Sequence, residues 1–376
     1  MRKVLILLIA VCLAPLLTNA QTVTRIGSVA TMDIGAWNIK QFQNADPQMG
    51  NVVATMQQSG VDIWGLQEVT SPTVLNALLA RLGDEWDGRL ATTTNLYTAF
   101  VFKKDVISVR SVGPMFTGGQ FSYEFAGRPP LVMKADVTLS DTTVTVLFVT
   151  VHMKCCSDGT SHDRRSGASS ALYNRLDFLH GSDRVIVMGD FNDETDRSIT
   201  SGRSSPYANF VADPEYEFLI ADGNVGTWCG SNSSCRTGST IDNILISSEL
   251  SGAVVANSAD RFSELLNDLP GYVSSTSDHL PVVARFNFAS STAVADQPSA
   301  SAGLQAWPSP ARDILSVDAQ MPGTLEIWDL LGRRVKSLDV SGGTTAIAIG
   351  DLPEGLYLLR QATRAGIASR LVVISR

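Results

Sequence analysis

Histidine is scarce in this chain, with four in 376 residues, and cysteine nearly as scarce, with five. A histidine that ends an apolar run therefore stands out. Positive charge is also short: 29 Lys and Arg stand against 37 Asp and Glu, for a net charge of −8. That balance excludes a protein that coats nucleic acid by bulk electrostatics. It leaves room for an enzyme that touches a few phosphates and carries a cation. Past residue 20 no segment approaches ~20 uninterrupted apolar residues, so no stable membrane insertion is expected and the mature chain should be soluble. The 44% hydrophobic and 18% charged content is that of a globular protein. The length accommodates a large core domain plus a smaller one.

Residues 1–20 read as a signal peptide. Arg2-Lys3 supply the positive start, and Val4 to Leu17 form an apolar stretch too short to span a bilayer. Thr18-Asn19-Ala20 offers small residues for cleavage, which would leave Gln21 first. Cys12 leaves with the signal. The mature chain keeps Cys155, Cys156, Cys229 and Cys235, an even number that points to disulfides in an exported protein. Three pairings are open. Cys229–Cys235 is the simplest local bridge. A vicinal Cys155–Cys156 bridge would be strained, so cross-pairing between the two loops is an option. Zinc is the competing reading, although the spacing fits no standard zinc pattern.

Residues 21–289 alternate strand-like and helix-like stretches. Val61 to Leu66, Val144 to Val151, Val185 to Met188 and Ile241 to Ile246 are apolar runs that read as buried strands. Ala99 to Phe102, Val106 to Val112 and Leu131 to Leu139 read as further strands. Helices are expected from Asp46-Pro47 through Gln58, from Ser71-Pro72 onward, and over Arg164 to His180 with Leu172, Leu176 and Leu179 inward. Mixed elements with hairpin-like pairs predict an α/β layered sandwich. Residues 290–305 are rich in Ser, Ala and Pro and read as a linker. Residues 306–376 carry short strands punctuated by turns at Gly332, Gly342-Gly343 and Pro353-Glu354-Gly355. They predict a small all-β sandwich, without His or Cys, where no chemistry is expected.

Polar motifs sit just past the apolar runs of the larger region. They are Trp37-Asn38, Gln67-Glu68, Val151-His152, Gly189-Asp190-Phe191-Asn192, Ile241-Asp242-Asn243 and Ser277-Asp278-His279. A buried strand that ends in Asp, Asn, Glu or His delivers that side chain to one edge of a sheet. Several such strands build a hard-cation site with histidines beside it. Each motif alone has an ordinary explanation. Asp190 and Asn192 suit an Asx turn, Glu68 and Asn38 an exposed strand end, and His152 a structural strand histidine. His162 and His180 read as surface residues. The set in one order is hard to ascribe to coincidence, and its chemistry is that of phosphodiester hydrolysis.

That order resembles the endonuclease/exonuclease/phosphatase superfamily, over roughly residues 30–289. Gly35 to Lys40, Gly65 to Val69, Gly127-Arg128-Pro129-Pro130 and His152 are similar to the deoxyribonuclease I branch. The resemblance implies a four-layer α/β/β/α sandwich and divalent-metal hydrolysis of phosphate esters. It implies Glu68 as principal magnesium ligand, with Asn38 and Asp278 completing the site. Manganese would be a substitute and calcium a structural ion. It implies His279 as general base or transition-state stabiliser held by Asp242, and His152 as the acid for the leaving oxygen. Asp190 and Asn192 would orient the water and the scissile phosphate. Arg128 would bind phosphate, with Lys154 a weaker candidate. One departure concerns His152. In that branch a Glu on an earlier strand orients this His, yet Asn95-Leu96-Tyr97-Thr98-Ala99 has no carboxylate.

The C-terminal region resembles the type A sorting domain of the type IX secretion system. Trp307-Pro308-Ser309-Pro310, Ile327 to Val335 and Leu352 to Tyr357 carry the likeness, with Trp-Pro-Ser-Pro in place of Tyr-Pro-Asn-Pro. The alternative for this region is an adhesion or carbohydrate-binding module. The expectation is a secreted, monomeric, metal-dependent endonuclease or phosphodiesterase, with DNA the leading substrate. A phospholipid head-group or inositol-phosphate hydrolase is the alternative on the same fold, and an inactive surface adhesin the alternative from another class.

Overall fold

The computed structural model describes residues 22–375 except 92–96, 182, 222–224, 231–233, 237, 289–303, 320, 330–332 and 364–365, and no side chain at 178, 179, 362, 363, 366 or 367. The expected signal peptide, the linker up to residue 303, Asn95-Leu96, the Gly332 turn and the Leu179 side chain lie outside the described residues.

Among the described residues, twelve strands precede residue 289. They are β1 (Met32–Phe42), β2 (Ile63–Val69), β3 (Trp86–Leu90), β4 (Tyr97–Lys103), β5 (Ile107–Pro114) and β6 (Leu131–Leu139). Then come β7 (Thr142–His152), β8 (Val185–Asp190), β9 (Tyr216–Phe218), β10 (Asp242–Ser247), β11 (Asp260–Arg261) and β12 (Val282–Phe286). They form two six-stranded sheets, ordered β11-β12-β1-β2-β4-β3 and β5-β6-β7-β8-β10-β9. The pairs β1–β2 and β7–β8 are parallel, and the other pairs are antiparallel.

Alternation along the strands builds the layers. Ile34 and Ala36 of β1 meet Phe148 of β7 and Ile186 and Met188 of β8 in a core between the two sheets. The intervening Trp37 and Ile39 face outward, onto helices α1 (Gln48–Ser59) and α2 (Pro72–Leu82). On the other sheet Leu147, Val149 and Val187 face helix α3 (Gly159–His180) through Ala168, Leu172 and Leu176. Helices, sheet, sheet and helix are the expected four layers. Central strands are covered on both faces, which explains their continuous apolar runs. Each fully buried Leu, Ile or Phe in these cores is worth roughly 1.5–3 kcal/mol.

Ser71 caps α2 as expected, its Oγ accepting from Val74 N at 3.2 Å. Helix α3 starts earlier than the sequence implied, because Asp158 caps it by accepting from Ser161 N at 3.0 Å. His162 therefore lies on the helix and is buried, with Nε2 3.0 Å from Ser204 O; it is not the surface residue expected.

Among the described residues, seven further strands follow residue 303: β13 (Gln305–Trp307), β14 (Ile314–Ala319), β15 (Gly323–Asp329), β16 (Arg334–Val340), β17 (Gly343–Ala348), β18 (Gly355–Thr363) and β19 (Gly366–Ile374). They form sheets β13-β14-β17 and β16-β15-β18-β19 around a core that includes Leu315, Val317, Leu325, Ile327 and Leu359. This is the expected small all-β unit.

Candidate active site

Register explains why the polar strand ends converge. His152 on β7 pairs with Asp190 on β8, and Asp190 pairs with Asp242 on β10. Residues directly opposite each other project to the same face, so these three form a row across the second sheet. On the first sheet Asn38 pairs with Gln67, next to Glu68. The Asn38 amide joins the two sheets at the site. Asn38 Nδ2 donates to Glu68 Oε1 at 3.2 Å and to Asp190 Oδ2 at 2.9 Å.

The backbone is bent to aim these groups. Lys40, Gln41, Glu68 and Asn192 all have positive φ, a region that is costly for residues with a Cβ and recurs at functional sites. Gln41 N donates to Glu68 Oε2 at 2.8 Å, and Asn192 N donates to Asp190 Oδ1 at 2.8 Å. Gly189 has a φ of +145° and runs so close to β7 that a Cβ there would sit 2.2 Å from Val151 O. Only glycine fits this position.

His279 is buried and its Nδ1 donates to Asp242 Oδ2 at 2.8 Å. Burial, the largest single influence, opposes the imidazolium, but the Asp242 charge and hydrogen bond together with the Asp190 and Asp278 charges outweigh it and raise the His279 pKa to about 10. Behind the ring, Tyr272 Oη donates to His279 O at 2.5 Å and accepts from Trp37 Nε1 at 3.0 Å. Ser277 Oγ accepts from His279 N at 3.0 Å and donates to Asn38 O at 2.6 Å. Asp190 is pushed up to about 7, by burial first and by the nearby Asp242 charge second. His152 is held well below the ordinary range by burial, then by Arg128 and His279. Its Nε2 lies 3.6 Å from Asp190 Oδ2 and 3.9 Å from Glu68 Oε1. Its Nδ1 is buried with no hydrogen-bond partner among the described residues, consistent with the absent orienting carboxylate.

The ten expected site residues divide into three groups. Asn38, Glu68, His152, Asp190, Asn192, Asp242 and His279 form the connected centre. Asp278 stands beside it and pairs with Lys40 Nζ at 3.0 Å; no hydrogen bond or ion pair joins it to Asn38 or Glu68 among the described residues. Arg128 is tied to the end of β7, with Nε donating to His152 O at 3.1 Å and Nη2 to Met153 O at 2.9 Å. Lys154 reaches its neighbour, with Nζ 3.2 Å from Cys155 O and 3.4 Å from Cys155 Sγ. A cleft of about 840 Å³ opens beside Asp278, lined by Lys40, Trp228 and Tyr272.

Sequence reasoning missed the supports. Ser277 was within a recognised motif and could have been found. Tyr272 and Arg165 gave no signal. Arg165 is fully buried, with Nε donating to Asp193 Oδ2 at 2.9 Å and Nη1 donating to Lys154 O and Cys156 O, each at 2.8 Å. It ties the loop after β7 to the loop after Asn192.

The donor set fits a hard divalent cation. Ligand atoms of Asp190, Asp242 and His279 lie within 4.8 Å of one another, and Asp242 Oδ1 is buried without a hydrogen-bond partner among the described residues. Carboxylate and amide oxygens, with no thiolate among them, are the chemistry magnesium or manganese takes. The cysteines near the site offer no zinc pattern, and Cys229 and Cys235 are bonded to each other.

Solved structures share this fold. An endonuclease/exonuclease/phosphatase from Bacteroides vulgatus is 16% identical with a TM-score of 0.50, covering 68% of this chain and 98% of its own. A counterpart from Beutenbergia cavernae is 17% identical with a TM-score of 0.51, covering 92% of this chain and 100% of its own. A Neisseria 3′ phosphatase bound to a product DNA hairpin is 16% identical with a TM-score of 0.51, covering 68% and 100%. No curated protein matches the chain significantly in sequence. The secretion system C-terminal sorting domain matches residues 305–375, which marks the chain for type IX export to the cell surface or the medium. The endonuclease/exonuclease/phosphatase family, whose enzymes hydrolyse phosphoester bonds with divalent metals, matches residues 35–279. That match begins in β1 just before Asn38 and ends on His279, enclosing every motif of the site, and the chain belongs to this family.

Proposed function

We propose that residues 21–289 form a divalent-metal-dependent phosphodiesterase, in its simplest form an extracellular endonuclease acting on DNA or RNA. The observation that carries this reading is the buried Asp242–His279 pair, set beside Asp190 and His152 and opposite Glu68. Glu68, Asn38 and Asp278 would hold the cation, with Asp190 and Asp242 close by. Bound there, the cation would neutralise phosphate charge.

The remaining steps belong to side chains. Asp242 keeps His279 as imidazolium, which favours transition-state stabilisation over the general-base role. Asp190, raised to about 7, is suited to accept a proton from the attacking water at neutral pH. Its Oδ1 holds Asn192 N and its Oδ2 holds Asn38 Nδ2, which fixes its direction. His152 lies on the other side of Asp190, where it would serve the leaving oxygen; its low pKa leaves the ring neutral at pH 7, so it would have to take up a proton before donating one. Arg128 supplies a guanidinium for the phosphate. The cleft beside Asp278 offers room for one arm of a diester.

The lipid reading draws less support. Within the aromatic stretch Phe116 to Phe125, Phe116 and Phe125 are buried in the α3 core and only Tyr123 is exposed, with Arg164 over its ring.

The test is cleavage of supercoiled plasmid by the purified mature chain with magnesium or with EDTA, beside His279→Ala. Metal-dependent nicking reduced at least ~100-fold in the variant is expected. A folded, metal-supplied chain that leaves plasmid and RNA intact would overturn the nuclease reading and move the search to smaller phosphate esters.

A further inference from the structure

Cys155 and Cys156 follow the end of β7 and are both exposed and free. Their Sγ atoms are 2.8 Å apart. Adjacent side chains on an extended chain point to opposite faces, so this convergence needs a bent backbone. Cys156 supplies it, with a φ of +87°, a region where glycine is the usual occupant. A cysteine kept in that position, with its sulfur turned onto its neighbour, points to use of the sulfur. The other cysteines of the mature chain, Cys229 and Cys235, already bridge each other. Within the chain, these two thiols can pair only together. The chain is exported, and exported thiols meet oxidising surroundings.

The turn is also wired to the active site. Arg165 Nη1 holds the carbonyls of Lys154 and Cys156, and Arg165 Nε holds Asp193, the residue after Asn192. Met153 O accepts from both Asn192 Nδ2 at 3.1 Å and Arg128 Nη2 at 2.9 Å. Lys154 Nζ rests on Cys155.

We propose that Cys155 and Cys156 are a redox modification site, closing on each other as a vicinal disulfide that sets the position of Lys154 and Arg128 and thereby phosphate affinity. The oxidant is a small-molecule or protein disulfide, RS–SR. One cysteine thiolate attacks it, the RS–SR bond breaks, and one RS⁻ leaves and takes up a proton. The second cysteine then loses its proton, attacks the mixed disulfide and expels the second RS⁻, which is protonated in turn. Two cysteines are oxidised and RS–SR is reduced to two RSH. Exposed or strained disulfides are the labile ones, so the ring should open again under mild reductant.

The kinetic consequence rests on the phosphodiesterase reading; ring formation does not. The test treats the full mature chain with oxidised glutathione and reads intact mass and peptide maps. The expected result is loss of two hydrogens from the peptide holding both cysteines, with no glutathione retained and Cys229–Cys235 unchanged. A lasting glutathione adduct, a covalent dimer or two unreacted thiols would overturn the proposal. Coupling is read without turnover, by calorimetric titration with inorganic phosphate, and by KM for a chromogenic phosphodiester. Both should change several-fold between redox states, with kcat little altered. Neither should respond in Cys155→Ser or in Cys156→Gly, which keeps the bent backbone. A ring that forms without moving phosphate affinity overturns the coupling. A ring that shifts phosphate affinity in a chain that cleaves no diester removes the activity reading and keeps the site.

Discussion

His279 Nδ1 donates to Asp242 Oδ2 across 2.8 Å, with both side chains buried and Asp242 Oδ1 left over. This pair has a signature in stability. The His279 pKa rises from 6.5 to about 10 on folding, because the Asp242 charge and hydrogen bond, with the Asp190 and Asp278 charges, together outweigh burial. A raised cationic pKa stabilises the fold fully below the unfolded value and loses that contribution as pH rises through the folded one. Metal-free protein should therefore lose stability between pH 6.5 and about 10, and Asp242→Asn should flatten that part of the slope. Urea midpoints in EDTA across this range decide it; parallel curves for the two proteins would exclude the pair as the source.

Glu68→Gln should weaken manganese binding by roughly tenfold or more, read by electron paramagnetic resonance of free manganese. Glu68 is the carboxylate that Asn38 and Gln41 hold in place. Unchanged binding in this variant, with loss in Asp190→Asn, would move the cation to the Asp190, Asp242 and His279 group.

Gly189→Ala should destabilise the protein by more than about 2 kcal/mol, since it combines a left-handed φ with a backbone clash. The added Cβ would lie 2.2 Å from Val151 O, and β7 and β8 would have to part. Thermal melts would show it, and activity should fall with stability because His152 and Asp190 end those strands. A variant that melts with the parent would mean the strands shift without cost.

Arg165→Met should cost about 3–5 kcal/mol, since it leaves the Asp193 carboxylate buried without its partner. The Arg165 Nη2 to Asp193 Oδ2 distance is 2.8 Å and both side chains are fully buried. Urea denaturation measures the loss. A double variant, Arg165→Met with Asp193→Leu, should recover much of it; no recovery would show that the carbonyls of Lys154 and Cys156 matter more than the charge.

Much of the site was legible because its residues end buried strands, where an apolar run makes the next polar residue conspicuous. Asp190 and His152 were readable for that reason, and Asp242, which opens β10, by its place at the head of such a run. The supports were not. Trp37 and Tyr272 touch across 235 positions of sequence, and nothing local to either announces the contact. Arg165 sits in a polar stretch of α3 where a charged residue reads as solvated. His162 was misread because the capping role of Asp158, which starts the helix earlier, was overlooked. The Lys40–Asp278 pair has the same cause as Trp37–Tyr272: distance along the chain hides proximity in space. Of the layers, the central strands of the two sheets followed from their runs, while the edge strands β3, β9 and β11 did not; in the tail, β13 was too short and β16 and β17 too polar to be noticed.

The amide of Asn38 grips a carboxylate on each of the two sheets at once. Neither sheet alone holds a working set of groups. On the nuclease reading, a chain whose halves have not yet closed on each other would be harmless to the nucleic acid of the cell that makes it. Cutting power would arrive in a single event, when the sandwich shuts, and turnover would serve as a clock for the last step of maturation.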